Sequence, residues 1–517
     1  MKNYFKYIAI LALGVVSCEP ELENPIEDGE VYSNGEADFS NYVALGNSLT
    51  AGYADGALYI TGQQNSYPNI LAEKFALVQD TEDFTQPLVS DNTGGLLLGG
   101  TQIAENRFVL AGESLATARP ARYTGAAPTT DVTKKLTDGP FNNMGVPGAK
   151  SYHLLAPGYG SVAGVATGAA NPYFARFASA ENATVLADAA AQNPTFFTLW
   201  IGNNDVLSFA TSGGAGVYQQ NVTDFTQYGP NDITDPNAFA FVYNALVSQL
   251  AGGENGAEGV LINIPNVADI PFFQVVPTNA IPLDAATAGA LNAQFGAYNT
   301  QILPGLVQAG VITEAEANSR KIIFAEGTQN FVTLTDEDLT NVSGILQQPP
   351  FNLDAQTAGL LGQLRQATTS DLIPLTSAGF IGTTVNNNPM LVNGVSVPLG
   401  DQHVLTSSEQ QLVAQVTAQY NGAISAIAQE FSLGLVDANS LLSQIDSEGG
   451  LVYQGVPITS QFVTGGAFSL DGVHLTPRGY AVIANEIVKE INATYGSNVP
   501  AVDVGSYGTV TLNNNVQ

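Results

Sequence analysis

The sequence contains very little cysteine, histidine or positive charge. A single cysteine, Cys18, stands among 517 residues, which excludes an internal disulfide and a zinc site built from several cysteines. Lys and Arg number 15 against 46 Asp and Glu, so the formal net charge is −31. Such an acidic chain repels phosphate backbones, and we therefore expect no nucleic-acid partner.

Long apolar runs are also missing, apart from one at the N-terminus. Lys2 and Lys6 precede an apolar stretch from Tyr7 to Val16, which is too short for a membrane-spanning helix because about 20 residues are needed. A positive start before a short apolar stretch is typical of a signal peptide. The sequence VVSC that ends at Cys18 resembles a bacterial lipobox, and this resemblance implies removal of residues 1–17 and lipidation of Cys18. An ordinary signal peptide with a chance cysteine is the alternative.

The segment 18–38 is acidic and contains proline, as in EPELENPIEDGE. Such a composition buries little apolar surface and predicts a tether. The segment also resembles export signals of some Gram-negative surface lipoproteins, whereas a plain solvated linker is the alternative. We expect an exported protein that is lipid-anchored to the bacterial outer membrane, facing either the periplasm or the cell surface.

The lipid anchor can be tested by the substitution Cys18→Ala. Several acyl chains, each contributing about 0.8 kcal/mol per buried CH₂ group, hold a protein firmly on a membrane. The variant should therefore leave the membrane fraction for the soluble fraction, as measured by fractionation and immunoblotting. A variant that still sediments with membranes would contradict lipidation at Cys18.

Strand and helix patterns alternate through residues 39–495. Apolar runs of strand length occur in NYVALG, PTFFTLWIG, GVLINIP and LGLVDAN. Apolar residues at helical spacing occur in SYPNILAEKFALV, FAFVYNALVSQLA, SSEQQLVAQVTAQYNGAISAIAQEF and TPRGYAVIANEIVKEIN. The pattern predicts a three-layer α/β domain with a mostly parallel sheet. Ser407 or Ser408 is expected to cap the third of these helices, and Thr476 the last.

Two stretches interrupt this alternation and carry no clear periodicity. Residues from about 79 to 139 and from about 325 to 400 are irregular, and we interpret them as insertions of loops and short strands. A Gly- and Asn-rich tail covers 496–517. Loops on a catalytic face set specificity, so the insertions are expected to shape a binding site.

Short polar motifs stand where the predicted elements end or begin. In chain order they are Gly46-Asn47-Ser48-Leu49, Asn143 with Gly148, Gly202-Asn203-Asn204-Asp205, and Asp471-Gly472-Val473-His474. Because ligands of parallel sheets bind beyond the carboxyl ends of the strands, we expect these motifs to meet there.

Together and in this order, the motifs resemble those of the GDSL/SGNH hydrolase superfamily, over roughly residues 41–492. The resemblance implies a flavodoxin-like α/β/α fold and ester hydrolysis without a metal or an organic cofactor. It also implies an oxyanion hole formed by the backbone N–H groups of Ser48 and Gly148 and the side chain of Asn204. One position departs from the family pattern, since Asn47 stands where Asp is usual.

The chemistry of a serine nucleophile narrows the choice of a base. A neutral hydroxyl must lose its proton as it attacks, and a histidine is suited to accept that proton. The chain has three histidines, and only His474 has a carboxylate, Asp471, three residues earlier. That carboxylate can orient the imidazole. We therefore expect Ser48, His474 and Asp471 to form a catalytic triad, with His153 and His403 outside it.

A second candidate serine occurs in Gly112-Glu113-Ser114-Leu115. Ser114 lies closer in sequence to Gly148, as in compact members of the family. However, Ser48 is followed by TAGY and a helix pattern, as the family requires, whereas Pro120 and a Gly/Ala/Pro-rich stretch follow Ser114. We assign Ser48 and place Ser114 in the first insertion.

The leading prediction is a serine ester hydrolase whose substrate is a short acyl ester, a lipid or an acetylated glycan. The alternative is a non-catalytic lipoprotein that binds glycans or mediates adhesion on the same scaffold, because a fold does not imply a function. An unrelated α/β-hydrolase is disfavoured, since no Gly-x-Ser-x-Gly stands at a strand-to-helix turn. Calcium binding by Asp- and Asn-rich loops is left open.

Overall fold

The computed structural model describes residues 32–112, 117–253, 256–513 and 516. The predicted signal peptide, Cys18 and Ser114 lie outside the described residues. Within the described ranges, none of the helices has both the length and the hydropathy that a membrane span requires.

A five-stranded sheet forms the centre of the fold. Its strands are β1 (Tyr42–Gly46), β2 (Asn143–Gly145), β3 (Phe196–Trp200), β4 (Glu258–Ile262) and β5 (Gly434–Val436). They lie in the order β2-β1-β3-β4-β5, and every neighbouring pair is parallel. Helices flank the sheet. The predicted α/β class with a parallel sheet is therefore confirmed.

Continuous apolar sequence explains the central strands. All five residues of β1 and all five of β3 are buried, as expected for parallel strands covered on both faces. The edge strand β2 was not predicted, because it has three residues and begins with a polar one. Asn143 is nevertheless buried, and its side chain donates to the carbonyl of Thr50 at 3.0 Å and accepts from the N–H of Gly145 at 3.0 Å.

Seven helices matter most for the site and the core. They are α1 (Ser48–Ala51), α2 (Tyr67–Phe75), α3 (Asn204–Thr211), α4 (Pro236–Ala251), α5 (Ser407–Glu430), α6 (Ala438–Asp446) and α7 (Pro477–Tyr495). The cap of α7 is confirmed, since the Thr476 hydroxyl accepts from the N–H of Gly479 at 3.0 Å. The predicted cap of α5 at Ser407 or Ser408 is wrong. Thr406 has extended backbone angles and caps the helix, and Glu409 reaches back to the Thr406 N–H at 2.7 Å.

Shorter elements surround this framework. The remaining α-helices are Ile60–Gln64, Val162–Val165, Pro172–Ala175, Val185–Ala190, Pro271–Gln274, Ala285–Gln294, Leu303–Gln308, Glu314–Ser319, Ser343–Leu346 and Ala355–Leu361. Turns of 3₁₀-helix occur at Ser151–Leu155, Phe225–Gln227, Val267–Asp269, Leu375–Ser377, Asp401–His403 and Val504–Ser506, and a π-helical turn at Tyr298–Ile302.

Antiparallel strand pairs lie outside the central sheet. They are Gly94–Leu98 with Thr101–Asn106, Phe108–Ala111 with Arg119–Arg122, Ile281–Leu283 with Gly327–Asn330, Thr333–Thr335 with Leu364–Gln366, Thr384–Val385 with Asn388–Val392, and Leu451–Tyr453 with Val456–Ile458. The first two pairs fall in the stretch of about 79–139 that we interpret as the first insertion.

The chain builds two large clusters of buried apolar side chains. The main cluster draws buried side chains from the sheet and from helices α2 to α7, whereas α1 contributes only the partly buried Leu49. The second draws its buried members from between Ile281 and Val404. The stretch of about 325–400, interpreted as an insertion, lies inside this segment. The segment that builds the second cluster starts before residue 325, because side chains from Ala285–Gln294 and Leu303–Gln308 also pack into this cluster.

Both ends of the described chain pack against the body. Near the start, Ala37 is buried, and the N–H of Glu36 donates to the carbonyl of Tyr495 at 2.8 Å. In the Gly- and Asn-rich tail, Val502 is buried, and the carbonyl of Thr511 accepts from the N–H of Leu110 at 2.9 Å. The tail therefore lies beside a strand of the first insertion.

Candidate active site

Ser48 lies directly beyond the carboxyl end of β1, as the first residue of α1. The side chain of Asn47 caps this turn by accepting from the N–H of Leu49 at 3.0 Å. The amide of Asn47 also donates to Asn203 at 2.9 Å, which ties the end of β1 to the end of β3. Asn47 thus supports the loop in which Ser48 stands.

A continuous line of hydrogen bonds joins Ser48 to the loop before α7. His474 Nε2 lies 2.8 Å from Ser48 Oγ, and His474 Nδ1 lies 2.9 Å from Asp471 Oδ2. The side chains of His474 and Asp471 are 16% and 11% exposed. The structure therefore brings together the three residues that sequence analysis assigned to a triad.

The Asp471 carboxylate accepts further hydrogen bonds from its surroundings. Oδ2 accepts from the N–H of Gly56 at 2.7 Å, and Oδ1 accepts from the N–H groups of Val473 at 2.9 Å and His474 at 2.8 Å. Burial raises the pKa of Asp471, but the nearby His474 and these hydrogen bonds outweigh it and hold the pKa well below its ordinary value. Asp471 is therefore ionised and able to orient the imidazole.

Asn204 lines the same cleft as Ser48, and two backbone N–H groups, at Ser48 and Gly148, are free to donate within the described part of the chain. The backbone N–H groups of Ser48 and Gly148 have no hydrogen-bond partner among the described residues, and Gly148 has a φ of +80° on an exposed turn. Asn204, the first residue of α3, uses one amide hydrogen on the carbonyl of Ala149 at 2.9 Å. Its second amide hydrogen stays available. These three groups are the donors that sequence analysis assigned to an oxyanion hole.

Asp205 supports the site in a way that sequence analysis missed. It is fully buried, and its carboxylate accepts from the Ser151 N–H at 2.8 Å and from the Ser151 hydroxyl at 2.7 Å. Burial raises the pKa of Asp205, although the charge of Lys150 opposes that rise. Because Ser151 follows Gly148 by three residues, Asp205 fixes the turn that presents the Gly148 N–H. Its place directly after Asn204 in the motif was the available signal.

A buried ion pair between Asp55 and Arg107 was also missed. Both side chains are 3% exposed or less, and Arg107 Nη2 contacts Asp55 Oδ2 at 2.5 Å. The Arg107 guanidinium lies 3.5 Å from the centroid of the Tyr59 ring, and the Tyr59 hydroxyl donates to Asp55 at 3.0 Å. Burial raises the pKa of Asp55, and the charge of Arg107 counteracts this.

This ion pair supports the loop that carries Asp471. Asp55 Oδ1 accepts from the N–H of Leu470 at 2.9 Å, and the Asp55 N–H donates to Ser469 Oγ at 2.9 Å. Ser469 Oγ in turn donates to Asp471 at 3.1 Å. Arg107 belongs to the first insertion, so that insertion contributes directly to the geometry of the site.

The other two histidines have structural surroundings. His153 Nδ1 accepts from the Lys150 N–H at 3.0 Å, and burial, with a contribution from Lys150, lowers the pKa of His153 to about 4. The His403 ring stacks on Phe380 with a centroid distance of 4.1 Å. Neither histidine lines the cleft at Ser48.

Among the described residues, one group of acidic side chains is close enough to share a cation. Carboxylate oxygens of Glu337, Asp401 and Glu409 lie within 4.8 Å of one another. Burial and the neighbouring Glu337 raise the pKa of Asp401 to about 8. None of the three lines the cleft at Ser48.

Chemically, the site can remove the proton of Ser48 and stabilise a negative oxygen beside it.

Comparisons with protein-family models, with curated proteins and with solved structures found no match to this chain.

The support from Arg107 can be tested through stability. Arg107→Met leaves the Asp55 carboxylate buried without its counter-charge, which costs about 3–5 kcal/mol when a buried pair is broken. The double variant Arg107→Met/Asp55→Asn removes both charges and should recover part of that loss. Chemical denaturation of the two single variants and the double variant measures the coupling. Strictly additive losses would contradict a direct interaction between the two side chains.

Proposed function

We propose that this protein is a serine ester hydrolase of the GDSL/SGNH type. The observation that carries the proposal is the unbroken line from Ser48 Oγ through His474 to Asp471, with hydrogen bonds of 2.8 Å and 2.9 Å. The backbone N–H groups of Ser48 and Gly148, which are free among the described residues, and the amide hydrogen that Asn204 does not donate to Ala149, are the proposed oxyanion donors. The proposed reaction uses no metal and no organic cofactor.

The first half of the proposed reaction forms an acyl-enzyme. Ser48 Oγ attacks the ester carbonyl carbon while its proton moves to His474 Nε2. The negative oxygen of the tetrahedral intermediate is stabilised by the three donors, each worth about 3–4 kcal/mol. The intermediate collapses, the bond to the alcohol oxygen breaks, and His474 returns its proton to the departing alcohol.

The second half releases the acid. A water molecule gives a proton to His474 Nε2 and attacks the acyl carbon, and the same donors stabilise the second intermediate. Collapse breaks the bond to Ser48 Oγ, which takes the proton back from His474. Throughout, the ionised Asp471 holds the imidazole in one orientation and stabilises its charged form.

The topology supports this proposal. The order β2-β1-β3-β4-β5 is that of flavodoxin-like doubly wound folds, which bind ligands at the switch point between β1 and β3. Ser48 follows β1 and Asn204 follows β3, so both lie at that switch point. A three-layer arrangement of the GDSL/SGNH kind is accordingly part of the proposal.

We also propose lipid attachment at Cys18 and export to the outer membrane, on the strength of the N-terminal sequence. The substrate would then be an ester met outside the cytoplasm, and the lipid would be the protein's contact with the membrane.

Covalent labelling tests the proposed function. A fluorophosphonate probe should label the wild-type protein and lose its target in Ser48→Ala, whereas the matched variant Ser114→Ala should still label. Hydrolysis of 4-nitrophenyl acetate should follow the same pattern. In Asp471→Asn, kcat should fall by roughly 10²- to 10⁴-fold, because the imidazole loses its orienting charge.

Each other outcome has a definite meaning. If Ser114→Ala abolishes labelling and Ser48→Ala does not, the nucleophile has been assigned to the wrong serine. If the folded wild-type protein neither labels nor hydrolyses any ester, the scaffold serves binding or adhesion, and the proposal is overturned.

A further inference from the structure

A small apolar cleft adjoins the proposed nucleophile. Its volume is about 40 Å³. The polar part of its wall comes from the site itself, through Ser48, Asn204 and His474, together with Asn47 and Asn203. The rest of the wall is apolar and consists of Leu49, Leu207, Pro265, Val267, Ile270 and Val473.

The position of the cleft indicates which part of an ester substrate it would hold. In the proposed mechanism, the alcohol leaves and water takes its place, so the alcohol side must be open to solvent. The acyl group stays bound to Ser48 through both halves of the reaction. A small apolar cleft that contacts Ser48 therefore suits the acyl group.

The size of the cleft limits that group to a few carbon atoms. Sites for larger small-molecule ligands commonly have volumes of about 300–1,000 Å³, so a cleft of about 40 Å³ suits only a small group. We propose that the enzyme is specific for short acyl esters, with acetyl as the preferred acyl group. This inference rests on the proposed function and adds its substrate class.

The wall that closes the cleft is held in place by backbone hydrogen bonds. The turn Val267–Asp269 and Ile270 follow β4, and both Val267 and Ile270 are buried. Just beyond them, the N–H of Phe272 donates to the carbonyl of Gly472 at 2.9 Å. Gly472 lies between Asp471 and His474 in the chain, so the wall is joined to the loop that carries the base.

Hydrogen bonds also hold the N-terminal end of this wall segment. Asn421 of α5 accepts from the N–H of Ile264 at 2.8 Å and donates to the Ile264 carbonyl at 2.8 Å. Ile264 precedes the wall residues directly. Widening the cleft on this side would break these hydrogen bonds.

Leu207 closes the cleft from the side of α3. It lies three residues after Asn204, which places both side chains on the same face of the helix. Its N–H donates to the carbonyl of Asn203 at 2.8 Å. Shortening Leu207 should therefore deepen the cleft while the oxyanion donor stays in place.

The test compares 4-nitrophenyl esters that differ only in the acyl chain. In the wild-type protein, kcat/KM should be highest for the acetate and at least about 10-fold lower for the octanoate, because even one misfitting methylene in an apolar pocket costs roughly 10-fold or more. Leu207→Ala and Ile270→Ala should raise the octanoate-to-acetate ratio at least several-fold. The matched control Leu77→Ala, at a residue 57% exposed and outside the cleft, should leave the ratio unchanged.

A second series keeps the acetyl group and changes the alcohol. It compares ethyl acetate, phenyl acetate and an acetylated sugar. The proposal expects a weaker dependence on the alcohol than on the acyl chain. Octanoate hydrolysed as fast as acetate by the wild-type protein, with activity still lost in Ser48→Ala, would overturn the short-acyl inference and leave the proposed function intact. Absence of hydrolysis and of fluorophosphonate labelling would overturn the proposed function instead.

Discussion

The site depends on keeping one buried carboxylate ionised. Removing Asp471 from water favours its neutral form, and a neutral acid would neither orient nor stabilise a charged imidazole. The structure counters this cost with donors on several sides, from the N–H groups of Gly56, Val473 and His474. Because these donors come from the backbone, they need no ordering of flexible side chains. The backbone of the loop that carries Asp471, together with the N–H of Gly56, therefore sets the electrostatics of the site.

That loop is itself held by residues distant in the chain. Asp55 links to it through Leu470 and Ser469, and Arg107 compensates the charge of Asp55. Arg107 also donates to the hydroxyl of Thr511, in the C-terminal tail, at 2.6 Å. The first insertion and the tail thus form part of the support for the site. Segments outside the regular strand–helix alternation therefore help to fix the geometry of the site, as the sheet does.

Much of the framework could be predicted from sequence because its causes are local. Buried parallel strands need continuous apolar runs, and this identified β1 and β3. The triad candidates Ser48, Asp471 and His474 stand in short motifs at the ends of elements, where the residue type itself indicates the chemistry. The structure places these three side chains in hydrogen-bonding contact.

The elements that escaped prediction depend on contacts between distant segments. The strand β2 is recognisable only by its pairing with β1, since its three residues include a polar one. The pairing of Asp55 with Arg107 spans 52 positions and has no local pattern. The predicted cap of α5 was wrong by one or two positions, because Thr406, Ser407 and Ser408 are all suitable cap residues. Only the backbone angles of Thr406 decide among them.

Close packing beneath Ser48 explains why small residues surround the serine. A Cβ atom at Gly46 would lie 2.1 Å from the hydroxyl of Thr50 and 2.4 Å from the carbonyl of Trp200, and one at Gly145 would lie 2.3 Å from the backbone nitrogen of Ala51. Any larger side chain at these glycines would push α1 away from the sheet. Since α1 begins with Ser48, such a shift would move the hydroxyl relative to His474, which is fixed by a different loop. The two glycines therefore position the Ser48 hydroxyl, although neither has a side chain of its own in the site.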